Sequence, residues 1–139
     1  MSKPKISLSP VCPCQVSSKT QVLFSDCCQQ YIKGSKFPDT AEQLMRSRYS
    51  AYVVEDKDYL LSSWHLSTRP DQIDFDTNSK WLGLKIISCS EGKIDDQDGW
   101  VKFIARFKIA GKAQRLEEHS YFTRVSGHWQ YLSAKQSDE

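Results

Sequence analysis

Four closely spaced cysteines carry the clearest chemistry in this chain. All of them lie within the first 28 residues, at positions Cys12, Cys14, Cys27 and Cys28. Zinc prefers thiolate ligands and is held by four of them in tetrahedral structural sites. The C-x-C-x12-C-C spacing is not a common zinc-finger spacing, so ligand type rather than spacing predicts a metal site. Two other interpretations remain open: four free thiols, or a site in which only one member of the Cys27–Cys28 pair lies near a metal.

The fifth cysteine and the N-terminal segment bear on the redox compartment. Cys89 lies far from the other four, inside an apolar run, and we expect it to be a small buried residue of a β-strand. An odd cysteine count fits a disulfide framework poorly. Residues 1–10 contain lysines but no apolar stretch of signal-peptide length, so we expect a cytoplasmic protein with reduced thiols.

Composition restricts the classes of protein to which the chain can belong. Its 139 residues include 19 basic and 17 acidic side chains, a net charge of +2. This balance argues against a dedicated nucleic-acid-binding protein, which carries a strongly basic surface. The sequence has no run of about 18 apolar residues, so we expect no membrane-spanning helix. Six Phe, six Tyr and four Trp residues need either a large core or a pocket to line.

The chain divides by charge and apolar content into two predicted parts. Residues 1–37 contain five lysines and one aspartate, a net charge of +4, and few apolar side chains. So small a segment cannot build its own core, and a bound metal is a natural way to stabilise it. The predicted boundaries are therefore 1–37 for a cysteine-rich unit and 38–139 for the larger domain.

The larger domain is predicted to contain helices followed by strands. Thr40 and Gln43 have capping-box spacing, and apolar residues continue at helical intervals to about Val54. A second short helix begins at Asp56 or Lys57 and ends before Pro70, because the residue before proline disfavours helix. Four strands follow, over 81–90, 100–110, 114–125 and 128–133. This order predicts an α+β fold in which a curved antiparallel sheet packs over the long helix.

Several motifs resemble those of one known family. Segment 40–52, which contains M-R-S-R-Y, and segment 64–70, W-H-L-S-T-R-P, are similar to the uncharacterised YchJ family. The two cysteine pairs resemble the SEC-C motif, a small zinc-binding element. The resemblance implies a cone-shaped domain like nuclear transport factor 2, joined to an N-terminal SEC-C-like unit. It also implies that the four cysteines hold a structural Zn²⁺ ion.

The implied cone-shaped fold has a cavity between helix and sheet. The expected lining residues are mostly aromatic: Tyr49, Tyr52, Trp64, His65, Trp81, Phe103, Arg106 and Phe122. His65 is the candidate general base, because imidazole titrates near neutral pH. The alternative is a histidine that caps the helix end or packs on Trp64. Arg46 and Arg48 point to different sides of their helix, so we expect one to face the sheet, in an ion pair or at an anion site.

Three functional hypotheses follow. In the first, the protein is a zinc-stabilised binding or adaptor module, whose N-terminal unit contacts a protein partner and whose cavity holds a small molecule or peptide. In the second, it is a small-molecule enzyme of isomerase or dehydratase type that uses His65 or a cavity carboxylate as base. In the third, it is a structural homodimer formed through the outer face of the strand that contains Lys102, Ile104 and Arg106. We favour the first, because the sequence contains no complete catalytic motif.

Overall fold

The computed structural model describes residues 10–15 and 21–136. Lys3, Lys5 and Lys19 of the basic N-terminal segment lie outside these ranges. One-turn 3-10 helices cover Pro13–Gln15 and Phe24–Asp26, and the longer elements are α1 (Cys28–Ile32), α2 (Ala41–Val54), α3 (Lys57–Ser62), β1 (Ser79–Glu91), β2 (Asp98–Ile109), β3 (Lys112–Val125) and β4 (His128–Gln136). None of these helices is long and apolar enough to span a membrane.

The four strands form one antiparallel sheet in chain order, β1-β2-β3-β4. Two-residue turns at Ala110–Gly111 and Ser126–Gly127 join the last three strands, and all four turn residues have positive φ. Positive φ at both positions is typical of type I′ hairpin turns, whose twist matches that of the flanking strands. Helices followed by this sheet confirm the predicted α+β fold.

Helix α2 packs against the inner face of the sheet. The Thr40 side chain accepts a hydrogen bond from the backbone N–H of Gln43 at 3.1 Å, as the capping-box spacing predicts. The helix ends at Val54, and Glu55 follows in the left-handed conformation. Residues of α2 share one core cluster with β2, β3 and β4: Leu44, Met45, Tyr49, Val101, Phe103, Ala105, Phe122 and Trp129. Burial of these apolar side chains is the main force that holds helix to sheet.

The start of α2 is held against the β1–β2 hairpin by a close backbone contact. The backbone N–H of Ala41 donates to the carbonyl oxygen of Gly92 at 2.9 Å. Gly92 and Gly99 face each other so closely that a Cβ on Gly99 would lie 2.3 Å from the Cα of Gly92. A side chain at position 99 is therefore excluded. This contact sets where α2 begins on the sheet, and so positions every site residue that α2 carries.

Cys89 is exposed, and its predicted burial in the core is wrong. It lies opposite Val101 of β2, whose side chain is fully buried, so both residues face the helix side of the sheet. However, β1 is an edge strand, and at this end the first turn of α2 approaches it through Glu42. The Cys89 thiol donates to Glu42 Oε1 at 3.5 Å. Strand alternation indicates the correct face of the sheet but not how far α2 covers it.

Candidate functional site

A short antiparallel bridge brings the first cysteine pair, Cys12 and Cys14, beside the segment that leads to the second pair, Cys27 and Cys28. Val11 pairs with Leu23, and the backbone N–H of Cys12 donates to the carbonyl oxygen of Val22 at 2.8 Å. Cys14 follows two residues later in a single 3-10 turn, where it is fully buried. The bridge therefore places both thiols of the first pair next to the chain that carries the second pair.

The adjacent cysteines Cys27 and Cys28 reach the same point because the chain bends between them. Cys27 has φ −129° and ψ −112°, outside the helical region, and separates a 3-10 turn from α1. Cys28 is the first residue of α1. The bend places their sulfur atoms 3.9 Å apart, although neighbouring side chains in a regular helix diverge.

The four sulfur atoms lie at the spacing of a tetrahedral metal site. All of them lie within 4.8 Å of one another. Cys14 Sγ is 3.7 Å from Cys27 Sγ and 3.6 Å from Cys28 Sγ. Four sulfur atoms bound at about 2.3 Å to one tetrahedral ion are separated by about 3.8 Å. These distances exceed the S–S bond length of about 2.05 Å, so the cysteines are free thiols whose donor type and geometry fit zinc.

Crowding of the thiols separates their pKa values. Hydrogen bonds from Cys14 and Cys28 lower the pKa of Cys12. The contact with Cys12 raises the pKa of Cys14 to about 12 and also raises the pKa of Cys28. The contact with Cys28 lowers the pKa of Cys27 to about 7. Four thiolates this close together repel one another, so a cation at their centre is needed to deprotonate the whole set.

The cysteine cluster packs directly on α2. Cys12 Sγ lies 3.5 Å from Ser50 Oγ, and Arg46 donates from Nη1 to the backbone carbonyl oxygen of Cys14 at 3.1 Å. Cys12, Cys14 and Cys28 belong to the same core cluster as α2 and the sheet. The cysteine-rich unit thus shares its core with the larger domain, and the predicted boundary between residues 37 and 38 stays a prediction.

A second feature is a cavity of about 300 Å³ between α2, Trp64 and the inner face of the sheet. Aromatic residues dominate its wall, together with one arginine and one glutamate. It is lined by Met45, Arg48, Tyr49, Tyr52, Trp64, Trp81, Phe103, Ala105, Leu116, Glu118, Ser120 and Tyr131. Clefts of this size with a few polar groups are typical of small-molecule sites.

Only some of the eight residues expected in the cavity line it in the structure. Five of them line it: Tyr49, Tyr52, Trp64, Trp81 and Phe103. Whether any of these five binds a ligand stays a prediction. The other three, His65, Arg106 and Phe122, lie outside the cavity lining.

Local geometry explains why each of these three residues lies outside the cavity lining. Arg106 is exposed, because alternation along β2 turns it to the face opposite Ala105. Phe122 is fully buried in the core and packs on Tyr131, with 5.8 Å between ring centroids. His65 organises the turn after α3: its Nδ1 accepts a hydrogen bond from the backbone N–H of Ser67 at 3.1 Å.

Arg48 is the cation of the cavity wall. Its side chain is 4% exposed, and Nη1 donates to the Leu60 carbonyl oxygen at 2.8 Å and to Ser63 Oγ at 2.7 Å. The guanidinium carbon lies 4.9 Å from the ring centroid of Trp64 and 4.7 Å from that of Tyr131. As expected, Arg46 and Arg48 project to different sides of α2, and the buried one faces the sheet.

Glu118 and Tyr131 are cavity residues that the sequence analysis missed. Glu118 pairs with Phe103, and Tyr131 pairs with Phe122. Because paired residues of neighbouring strands share a face, both lie on the inner face of the sheet. Period-two alternation from Leu116 places Glu118 inward, so the signal was available. Burial raises the pKa of Glu118. Glu118 rather than His65 lies in this cavity wall, and its carboxyl group could accept or donate a proton there.

Comparisons with known sequences identify relatives over most of the chain. A family model described as YchJ, middle NTF2-like domain, matches residues 40–134. A UPF0225 protein of Chromobacterium violaceum is 42% identical over 135 residues, covering 94% of this chain and 96% of the relative. A UPF0225 protein of Xanthomonas campestris pv. campestris is 45% identical over 127 residues, covering 89% and 93%.

Two solved structures resemble most of this chain. The solution structure of a SEC-C motif containing protein from Rhodopseudomonas palustris has a TM-score of 0.75 and 31% identity, covering 86% of this chain and 96% of that one. The crystal structure of a SEC-C motif containing protein from Psychrobacter arcticus has a TM-score of 0.74 and 29% identity, covering 93% and 84%. The predicted nuclear transport factor 2-like fold is confirmed. The chain belongs to the YchJ family, whose members are also named UPF0225 proteins.

Proposed function

We propose that this protein is a zinc-stabilised binding module whose cavity holds a small ligand. One observation carries the proposal: four buried or half-buried thiols lie within 4.8 Å of one another at near-tetrahedral spacing. The relatives of known structure that are described as SEC-C motif containing proteins support the same interpretation. Zinc with four thiolate ligands has no open coordination position, so its contribution is structural rather than catalytic.

The position of the cluster indicates what the metal would stabilise. Cys12, Cys14 and Cys28 are packed into the core that α2 shares with the sheet. Metal binding at this point joins segments 10–15 and 21–28 to each other against α2, which also carries Arg48, Tyr49 and Tyr52 of the cavity wall. Metal affinity is therefore expected to contribute to folding stability and to support the cavity wall.

The cavity accounts for the binding part of the proposal. Its volume of about 300 Å³ and its mixture of aromatic rings with one arginine and one glutamate suit a small molecule better than a long peptide. Contact of the cysteine-rich unit with a protein partner, homodimerisation through the outer face of β2 and a cytoplasmic location stay predictions.

Metal content tests the proposal. We expect protein purified under reducing conditions without added chelator to contain one zinc ion per chain by elemental analysis. Cys14→Ser should lose the metal, because three thiolates and a hydroxyl bind zinc far more weakly. Cys89→Ser is the matched control and should retain it, since Cys89 lies on the sheet edge beside Glu42. Metal-free protein that is fully folded under these conditions would contradict the proposal.

A further inference from the structure

The cavity wall contains a buried positive charge whose known partners are neutral. Among the described residues, Arg48 donates to the carbonyl oxygen of Leu60 and the hydroxyl of Ser63, and the hydroxyl groups of Tyr52, Tyr59 and Tyr131 also favour its charged form. Burial lowers the pKa of Arg48 to about 10, so the side chain still carries its charge at neutral pH. A buried cation without a counter-ion is costly, and sites of this kind are completed by an anion.

Glu118 lines the same cavity, but none of the ion pairs between described residues joins it to Arg48. Burial raises the pKa of the Glu118 carboxyl group, which favours its neutral form. The cavity wall thus carries a guanidinium that no described carboxylate meets at ion-pair distance.

A second donor in the same wall lacks an acceptor. The indole nitrogen Nε1 of Trp64 is buried and has no hydrogen-bond partner in the part of the chain that the structure describes. A buried unpaired N–H costs about 1–3 kcal/mol, so such groups normally find an acceptor. Arg48 lies over the ring of this same tryptophan. Both observations indicate a ligand that is rich in acceptor atoms at this end of the cavity.

The rest of the wall indicates the body of the ligand. Tyr49, Tyr52 and Trp81 form an aromatic group, with 5.6 Å between the ring centroids of Tyr49 and Trp81 and 6.2 Å between those of Tyr52 and Trp81. Aromatic walls favour flat apolar groups, which pack against ring faces and edges. A volume of about 300 Å³ is at the lower end for ligand sites, so the ligand is small.

We propose that the cavity binds a small organic carboxylate with a flat apolar body, its carboxylate on Arg48 and its body against Tyr49, Tyr52 and Trp81. This inference deepens the proposed function and rests on it, because it names the class of ligand that the cavity takes. Carboxylate is the favoured anion because its planar shape matches the fork of guanidinium donors. Of the donors of Arg48, Nη1 already donates to the Leu60 carbonyl oxygen and to Ser63 Oγ.

The test compares acids with their uncharged counterparts on the full-length, zinc-loaded protein. Benzoate, phenylacetate and 3-phenylpropionate are titrated in parallel with the corresponding carboxamides, and binding is followed by NMR chemical-shift changes of the tryptophan indole N–H groups. We expect at least one acid to bind about tenfold or more tightly than its amide, since a charge-assisted hydrogen bond is lost in the amide. The Trp64 indole signal should move on binding.

Two variants test whether Arg48 causes the preference for acids over amides. Arg48→Met should remove the preference for acid over amide, whereas Arg106→Gln, which removes an exposed cation from the other face of β2, should leave it unchanged. Should Arg48→Met fail to fold, the acid–amide comparison on the unmodified protein still decides the question. Equal binding of acids and amides would overturn the carboxylate inference and leave the ligand-binding cavity intact. Absence of binding by either set, in protein that holds its zinc, would overturn the inference and the ligand-binding part of the proposed function, but not the metal site.

Discussion

Arg46 donates a hydrogen bond from Nη1 to the backbone carbonyl oxygen of Cys14 at 3.1 Å, and another from Nε to Glu42 Oε2 at 2.9 Å. One arginine of α2 thereby holds the turn that carries a candidate metal ligand. Two residues later, Arg48 enters the cavity wall. The M-R-S-R-Y motif thus divides its two arginines between the cysteine cluster and the cavity, and α2 links the two sites.

The contact between Arg46 and Cys14 predicts a role in metal affinity. Arg46→Gln removes the donor that positions the Cys14 turn, and the loss of such an outer-shell contact typically weakens metal binding by about tenfold or more. Competition with a chromophoric zinc chelator measures the change. Arg106→Gln is the control with the same loss of charge and no contact with the cluster. Equal zinc affinity of Arg46→Gln and the unmodified protein would show that Arg46 does not support the site.

Removal of the metal should lower the stability of the whole domain. Because the cysteines lie in the core that α2 shares with the sheet, the free energy of unfolding should rise by about 3 kcal/mol when free zinc is about 100 times its Kd. Urea unfolding, followed by tryptophan fluorescence with and without zinc, measures this difference. Cys14→Ser should lose the zinc dependence, and Cys89→Ser should keep it. A stability of the larger domain that is independent of zinc would mean that the cysteine-rich unit folds separately.

The contact between Gly92 and Gly99 predicts a large effect of a single methyl group. A Cβ at position 99 would lie 2.3 Å from the Cα of Gly92 and 3.2 Å from the Cβ of Ala41. Gly99→Ala should therefore lower the free energy of unfolding by about 3 kcal/mol, because backbone rather than a flexible side chain blocks the space. Gly111→Ala is the control: its Cβ would meet open space, and only the positive φ costs about 1 kcal/mol. Comparable losses in the two variants would contradict the close contact.

The raised pKa of Glu118 predicts that the difference in stability between Glu118→Gln and the unmodified protein depends on pH. A carboxyl group whose pKa is higher in the folded state than its usual value of about 4.3 favours folding when protonated. That contribution is fully present below the unfolded pKa and is lost as pH rises through the folded pKa. Glu118→Gln cannot ionise, so its stability relative to the unmodified protein should increase as the pH rises from 4 to 7. Urea unfolding across this range gives the difference, and a difference that does not change with pH would exclude the burial effect.

Sequence patterns predicted the elements that depend on local chemistry. Thr40 caps α2 as its spacing with Gln43 indicates, and the alternation along 100–110 correctly places Phe103 and Ala105 inward. The convergence of two adjacent cysteines with a distant pair also followed from ligand type. In each case, the physical cause lies within a few residues or in the chemistry of the side chain itself.

Other site features depend on where separate elements meet, and sequence patterns did not predict them. His65 lies near Trp64 in the chain, yet the turn after α3 directs its imidazole to Ser67. Cys89 faces the helix side of the sheet but lies beyond the cover that α2 provides. Glu118 was missed because a charged residue between polar neighbours on β3 looks solvated, although alternation from Leu116 places it on the inner face. That this part of the inner face lines a cavity depends on the strand register and the placement of α2.

The coordination of bound zinc tests the central claim most directly. X-ray absorption at the zinc edge, measured on the full-length protein purified with its own metal, reports the type and distance of the ligand atoms. Convergence of Cys12, Cys14, Cys27 and Cys28 predicts four sulfur ligands at about 2.3 Å and no nitrogen or oxygen ligand. A shell that contains nitrogen or oxygen ligands, or a protein that folds with its four thiols free of metal, would contradict the account.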